Sequence, residues 1–170
     1  MSRVILNNPS NISTIMEIAF QVDDPVSCKA CWVLEYTAKE HLSHLFPHMD
    51  HFVKNIGKVH LDPAVRPIAK ICECLMKSYF QSKDKKTCET LTDQHLEGIT
   101  SVCFDWLIGD HKVAAQAYSM TSLLLLGRTF DWIHPELRMI LEQKYQNGSA
   151  AYKARARMTL AKIKCDTTPK

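Results

Sequence analysis

One block of sequence recurs four times along this chain: an apolar helical segment, a turn with Asp or Ser, and a second helical segment. The second segments align at spacings of 39, 48 and 39 residues, on Val26, Val65, Val113 and Tyr152. An alanine follows four positions after each, at Ala30, Ala69, Ala117 and Ala156. A period of about 40 residues with helical content is typical of HEAT and armadillo repeats. The pattern therefore predicts a short α-solenoid.

The turns of the four blocks also share a feature. A side chain with a capping oxygen stands three positions before each aligned residue, at Asp23, Asp62, Asp110 and Ser149. Such oxygens accept backbone N–H bonds at helix starts, so we expect them, and Thr92 before the third pair, to be N-caps. The repeats are predicted over about 12–39, 52–80, 96–127 and 135–164, in one domain spanning 1–170. No stretch alternates with the period of a strand, so the predicted class is all-α, a right-handed superhelix of about four helix pairs.

Size and composition place the chain among ordinary globular domains. Its 170 residues, 46% hydrophobic and 23% charged, are enough to bury a core without disulfides or metals. The seven cysteines fall mostly at core-like helical positions, which favours reduced thiols and a cytoplasmic location. The longest uncharged run, Val113 to Gly127, is shorter than the roughly 20 residues of a membrane helix, and residues 1–21 lack a signal-peptide pattern. We expect no membrane association and no cofactor.

Two regions interrupt or flank the predicted repeats. Residues 41–51 form a junction in which Pro47 restarts the chain, and residues 81–94 are a polar insertion. Residues 1–11 offer few apolar side chains to cover the first repeat. Because the end repeats of a solenoid need a cap, we expect either this segment or another chain to cover that end.

Positive charge is concentrated at the end of the sequence. Residues 151–170 carry six basic residues and one acid, a net charge of +5, so the other 150 residues sum to −2. Counted from the aligned apolar residues, offsets one, five and twelve lie on one helix face. In the second and fourth repeats these offsets are basic, and the set is called here the basic stripe: Arg66, Lys70, Lys77, Lys153, Arg157 and Lys164.

Two interpretations of the basic stripe are open. In solenoids of helix pairs the second helices line the concave face, where spaced cations suit carboxylates or phosphates and the aromatic Tyr118 between them stacks or hydrogen-bonds. Alternatively, the cations form a solvated face, Arg66 pairs with a turn aspartate, and Tyr118 and Leu125 belong to the core. The predicted binding residues are the basic stripe and Tyr118.

Other chemistry-bearing residues have plainer explanations. Histidines at 41, 44, 48 and 51, with Asp50, have spacings that suit a metal, but Pro47 splits them and no second ligand motif accompanies them. The pair Cys28 and Cys31 is a lone CxxC in a repeat helix. We therefore expect surface histidines, core or partly exposed thiols and no metal. No nucleophile elbow, phosphate loop or dinucleotide fingerprint is present, so no catalytic residue is assigned.

The three tryptophans fall at apolar helical positions or junctions and are expected in the core: Trp32, Trp106 and Trp132. Two of them follow aspartates, in Asp105-Trp106 and Asp131-Trp132. A carboxylate and an aromatic ring together suit a pocket that handles a base. Nothing in the sequence places these two dipeptides near each other.

Four segments carry a family resemblance: residues 28–36, 64–73, 112–120 and 149–157. They resemble those of a small family of bacterial HEAT-like helical-repeat proteins, and the resemblance covers nearly the whole chain. Members are often labelled adenylosuccinate lyase. The signature loop of true lyases reads Gly-Ser-Ser-x-Met-Pro-x-Lys-x-Asn-Pro; here Gly148-Ser149 matches, Lys153 comes two positions early, and Met-Pro and Asn-Pro are absent. The residues therefore do not predict lyase activity.

In architecture the chain is also similar, more distantly, to HEAT-like DNA alkylation-repair glycosylases, which hold duplex DNA on a basic concave face. The prediction from the sequence is a non-enzymatic scaffold that binds an acidic protein or peptide through the basic stripe. The alternative is nucleic-acid binding through the same residues, with repair chemistry. A third hypothesis is a structural subunit whose N-terminal end stacks on another chain. Oligomeric state does not follow from the sequence.

Overall fold

The computed structural model describes residues 11–167, and this part of the chain contains helices and no β-strand. Its α-helices are α1 Ile12–Ala19, α2 Pro25–Glu40, α3 Met49–Ile56, α4 Asp62–Lys77, α5 Lys85–Thr90, α6 Asp93–Ile108, α7 Val113–Leu126, α8 Ile133–Tyr145 and α9 Ala150–Thr167. A 3₁₀ segment, Leu42–His48, precedes α3, and a π turn, Ser78–Ser82, extends α4. The all-α prediction is confirmed. Among the described helices, none is long and apolar enough to span a membrane.

Four helices pack side by side in chain order: α2, α4, α7 and α9. They are the predicted second helices of the four pairs. Helix α1 packs on α2, α6 packs on α7, and α8 packs on both α7 and α9. Helix α3 packs on the 3₁₀ segment and on α6, where a Cβ added to Gly98 would come 2.5 Å from Val53 Cγ1. Glycine at this position therefore permits the close approach of α3 and α6.

Helices α4, α7 and α9 run parallel. Asp62 at the start of α4 lies 3.4 Å from the ring of His111, just before α7 begins. Beyond the other end of α7, Arg128 contacts Asp166 near the end of α9 at 3.2 Å. Equivalent offsets in these helices therefore lie at similar heights.

The aligned positions explain most of this packing. All four aligned alanines are buried, and so are Val65 and Tyr152, because neighbouring helices cover them. Val26, the aligned apolar residue of the first repeat, is instead 53% exposed. It lies in the first turn of α2, and α2 stands at the end of the row with a second helix on one side only.

Two tryptophans also depart from the prediction. Trp106 is buried as expected, but Trp32 and Trp132 are 56% and 54% exposed. Trp32 is held at the surface by a hydrogen bond from its Nε1 to the carbonyl of Pro63 at 2.7 Å. Trp132 precedes α8 and stacks on Phe104, with ring centroids 5.6 Å apart. The hydrogen bond of Trp32 and the ring stacking of Trp132 each stabilise a tryptophan side chain at the surface.

Three of the four turn residues are not N-caps. Helix α2 begins at Pro25, so Asp24 rather than Asp23 is next to the helix and accepts the bond from the N–H of Val26, at 2.8 Å. Asp62 lies inside the first turn of α4, and Asp110 stands too far ahead of α7. A cap acts only at the residue next to the helix, and the turns differ in length.

Two predicted caps are correct. Ser149 Oγ accepts from the N–H of Tyr152 at 3.2 Å, and Thr92 forms a reciprocal capping box with His95. The predicted polar insertion contains a short helix, α5, capped by Asp84. Pro47 is accommodated in the 3₁₀ segment, which ends one residue later. Most of the segment expected to cover the N-terminal end, residues 1–10, lies outside the described residues.

Candidate binding surface on the second helices

Helix α4 presents three cations on one face. Arg66, Lys70 and Lys77 are each partly exposed, whereas the apolar residues of the other face, such as Ile68 and Ile71, are fully buried. An amphipathic helix packed on one side leaves its polar stripe at the surface. The prediction that these three residues share a face is therefore consistent with their burial.

Arg66 pairs with an acid on the preceding second helix. Its guanidinium contacts both oxygens of Glu35 on α2, at 2.6 and 3.4 Å, and its Cζ lies 5.8 Å from the centroid of the Trp32 ring. Glu35 is only 8% exposed. The expected partner, a turn aspartate, is thus replaced by a glutamate that reaches across from the neighbouring helix. This bidentate pair fastens α2 to α4.

Lys70 and Lys77 share one carboxylate. Glu73 accepts from Lys70 Nζ at 2.6 Å and from Lys77 Nζ at 2.9 Å, and Glu73 is 2% exposed. Burial by itself raises the pKa of Glu73, but the hydrogen bonds from the two lysines outweigh it and the net pKa is lowered. Burial likewise lowers the pKa of Lys70, and the bond to Glu73 reverses the shift, so the net pKa is raised. Glu73 and Lys70 are therefore both charged at neutral pH.

The aromatic member of the predicted site lies beside this cluster. Lys70 Nζ is 4.7 Å from the centroid of the Tyr118 ring, which is a cation–π contact between α4 and α7. Tyr118 is partly exposed, whereas Leu125 is 1% exposed and belongs to the core. The structure therefore brings Arg66, Lys70 and Lys77 together with Tyr118.

The cations of α9 are in a different environment. Lys153 is partly exposed and Arg157 is exposed, and neither forms an ion pair with a residue in the described range 11–167. Lys164 is exposed further along the same helix. They flank the buried residues Tyr152 and Ala156, which pack toward the rest of the domain.

The two halves of the basic stripe are separated by one helix. Helix α7 packs between α4 and α9, and at the matching offsets it has the accessible residues Ala114 and Tyr118. Because the three helices run parallel, these offsets lie at similar heights on adjacent helices. The accessible offsets of α4, α7 and α9, together with Trp32, are called here the second-helix surface.

Sequence reasoning missed the acids of this surface. The spacing of Lys70, Glu73 and Lys77 is i, i+3 and i+7, so the ion cluster has a sequence signal in helical side-chain pairing. The pair of Glu35 with Arg66 has no such signal because the residues are 31 apart. Trp32 was assigned to the core on its apolar character, whereas 56% of it is exposed in the folded chain.

The residues with metal-like or redox-like spacing are the histidines near Asp50 and the pair Cys28 and Cys31. No group of three or more His, Cys, Asp or Glu residues in the described part of the chain is arranged to hold a metal. Asp50 instead contacts His95 Nε2 at 2.8 Å. Burial, followed by the charge of Cys28, raises the pKa of Cys31 to about 12, so this thiol stays protonated. A protonated, buried thiol is a poor nucleophile and a poor metal ligand.

Comparisons with known proteins do not assign a family. The chain matches no protein-family model, no curated protein and no solved structure.

Proposed function

We propose that this protein is a non-enzymatic scaffold whose second-helix surface binds an acidic segment of a protein partner. The observation that carries the proposal is the pair of α9 cations, Lys153 and Arg157, which have no counter-ion among the described residues. They stand one helix away from a row of aromatic rings and cations. A preformed helical surface binds a peptide with little loss of its own conformational entropy.

The electrostatics of the surface favour a partner with spaced carboxylates. On the α4 side, Glu35 and Glu73 neutralise two of three cations, which leaves a net charge of +1. On the α9 side, Lys153 and Arg157 add two positive charges. The exposed indole of Trp32 and the ring of Tyr118 supply apolar contact. A peptide that carries acidic residues near an apolar or aromatic side chain matches this combination.

Nucleic-acid binding through the same residues is less well supported by the geometry. Affinity for a phosphate backbone rests on the number of cations free to neutralise phosphates. Glu35 and Glu73 already engage all three cations of α4.

We further infer that the parallel second helices belong to a HEAT-like superhelix related to the bacterial helical-repeat family. The resemblance in four segments and the ordered row of helices support that inference.

The test is a selection of random peptides displayed on phage. Wild-type protein is expected to enrich peptides rich in Asp and Glu, and Lys153→Glu with Arg157→Glu is expected to abolish that enrichment. The matched control is Lys162→Glu, a charge reversal at an exposed residue on another face of α9, which should keep it. Enrichment without acidic residues, or enrichment that survives the double reversal, contradicts the proposal.

Fluorescence anisotropy then compares a selected peptide with duplex DNA at about 50 and 200 mM salt. Binding of the peptide at both salts, with DNA bound weakly or not at all, agrees with the proposal. DNA binding that falls by orders of magnitude between the two salts would be a phosphate-backbone signature and would favour nucleic acid instead.

A further inference from the structure

A cavity of about 360 Å³, open to solvent, lies beside α6 and the segment that joins α7 to α8. None of its lining residues belongs to the second-helix surface. The side chains that matter for the argument are three aromatic rings, two carboxylates and one hydroxyl, from Phe104, Phe130, Trp132, Glu97, Asp105 and Ser101.

Helix periodicity builds one wall of this cavity. Glu97, Ser101, Phe104 and Asp105 stand at i, i+4, i+7 and i+8 on α6, which is a single helix face. The opposite face of α6, which includes Trp106, is buried in the core. Asp105 and Trp132 thus line the same cavity, although in the sequence Asp105 is followed by Trp106 and Trp132 is preceded by Asp131.

The aromatic rings form a platform at the cavity. Phe104 and Trp132 stack with their planes 22° apart and their centroids 5.6 Å apart. Trp132 remains 54% exposed despite its size, and Phe130 is partly exposed beside it. Since stacking covers one face of the indole, the rest of the ring is available to a ligand.

The charges of the cavity are of one sign. Glu97 and Asp105 are exposed and form no ion pair with any residue in the described range, and no lysine, arginine or histidine lines the cavity. Aromatic faces carry negative potential and attract cations, and unpaired carboxylates add to that attraction. Rings and carboxylates therefore select the same kind of ligand.

We propose that this cavity binds a small organic cation with an alkylated ammonium group of the choline type. A bare metal ion is a poor match, because three of the lining side chains are hydrocarbon or indole rings that do not ligate metals. An alkylated ammonium covers apolar ring surface with its methyl groups and is attracted by Glu97 and Asp105. The site is independent of the second-helix surface.

The test is calorimetric titration of the full chain with choline and with 3,3-dimethylbutan-1-ol, its neutral isostere. Choline is expected to bind and the alcohol is not, because the cation–π and carboxylate attraction requires the charge. Equal binding of both molecules, or no binding of choline, overturns the proposal.

Two variants locate the site. Trp132→Leu is expected to weaken choline binding by about tenfold, the loss of a cation–π contact, and so is the double variant Glu97→Gln with Asp105→Asn. The controls are Tyr36→Leu, an exposed aromatic residue outside both the cavity and the second-helix surface, and Glu136→Gln, an exposed carboxylate outside the cavity. Unchanged binding in both site variants overturns the assignment. The double variant removes no hydrogen bond or ion pair within the described residues, so it keeps the test valid if Trp132→Leu fails to fold.

A last arm distinguishes a free cation from a lipid headgroup. Co-sedimentation with phosphatidylcholine vesicles is measured alongside free choline. Binding to the vesicles without binding to free choline overturns the assignment of a small soluble ligand, whereas binding of free choline supports it.

Discussion

Helices α4 and α9 present cations at the same three sequence offsets, yet the cations of the two helices differ in whether they contact acidic residues. On α4 the cations contact Glu35 and Glu73, two acids that are 8% and 2% exposed. On α9, Lys153 and Arg157 find no counter-ion within residues 11–167. Arg66 reaches an acid on the neighbouring helix α2, whereas Lys70 and Lys77 share an acid of α4 itself. Helix α4 lies between α2 and α7, whereas α9 packs on α7 and α8. The cations of α4 are therefore part of the structure, whereas Lys153 and Arg157 form no ion pair with the described residues.

The variant with the largest expected effect on the α4 cluster is Glu73→Ala. It leaves the ammonium groups of Lys70 and Lys77 without their shared carboxylate in a partly buried site. We expect the free energy of unfolding to fall by about 2–4 kcal/mol, as when one partner of a buried pair is removed. Urea denaturation measures the change.

The matched control for Glu73→Ala is Glu142→Ala. Glu142 also accepts from a basic residue, Arg138 at 2.9 Å, but that pair is about half exposed on both sides. We expect a loss below about 1 kcal/mol there. Equal losses in the two variants contradict the structural role assigned to the α4 cluster.

Arg66→Ala is the next test in expected size. It removes the bidentate pair with Glu35 and the contact with the Trp32 ring, and it leaves a buried carboxylate without its cation. We expect a loss of about 1–3 kcal/mol, the cost of an unpaired buried polar group. Thermal and urea unfolding both measure it. A variant as stable as the wild type would place Arg66 with the α9 cations instead.

The pH dependence of stability is a further test of the ion cluster around Glu73. Because the pKa of Glu73 is lower in the folded state, its contribution to stability is complete above pH 4.5, its ordinary pKa, and is lost as the pH falls through the lowered value. The stability gap between the wild type and Glu73→Gln should therefore be constant near neutral pH and close in acid. Urea denaturation across that pH range measures it, and a gap that does not close contradicts the ion cluster.

The raised pKa of Lys70 predicts the opposite behaviour in base. Its contribution is complete below pH 10.5 and is lost as the pH rises through the raised value. A Lys70→Met variant should therefore approach the wild type in stability only above that pH. The same denaturation series, continued into base, provides the measurement.

The smallest expected effect is on α9. Lys153→Ala with Arg157→Ala should change the free energy of unfolding by less than about 0.5 kcal/mol, because surface residues without partners contribute little. The same pair of positions is expected to control peptide selection. A large loss of stability on this helix would remove the distinction between the two halves of the basic stripe.

Helix periodicity predicted much of the fold because it is a local property. The apolar spacing predicted helices where the structure has them, and the aligned alanines are buried in α2, α4, α7 and α9. Helix starts were less accurate, as Asp23 and Asp24 illustrate, because a shift of one residue decides which side chain is the cap. The exposure of Val26, Trp32 and Trp132 was not predictable, because an apolar residue at a helical position does not itself show whether another helix packs over it.

The sequence by itself determined the helical class and the burial of the four aligned alanines. Tertiary structure alone decided that Arg66 is paired, since Glu35 and Arg66 meet across 31 residues of chain. It also decided that Asp105 lies at one cavity with Trp132 rather than with the buried Trp106. The physical reason is the range of each effect. Periodicity acts within a few turns of one helix, whereas the pairing of Arg66 and the exposure of each side chain depend on which distant helix packs alongside.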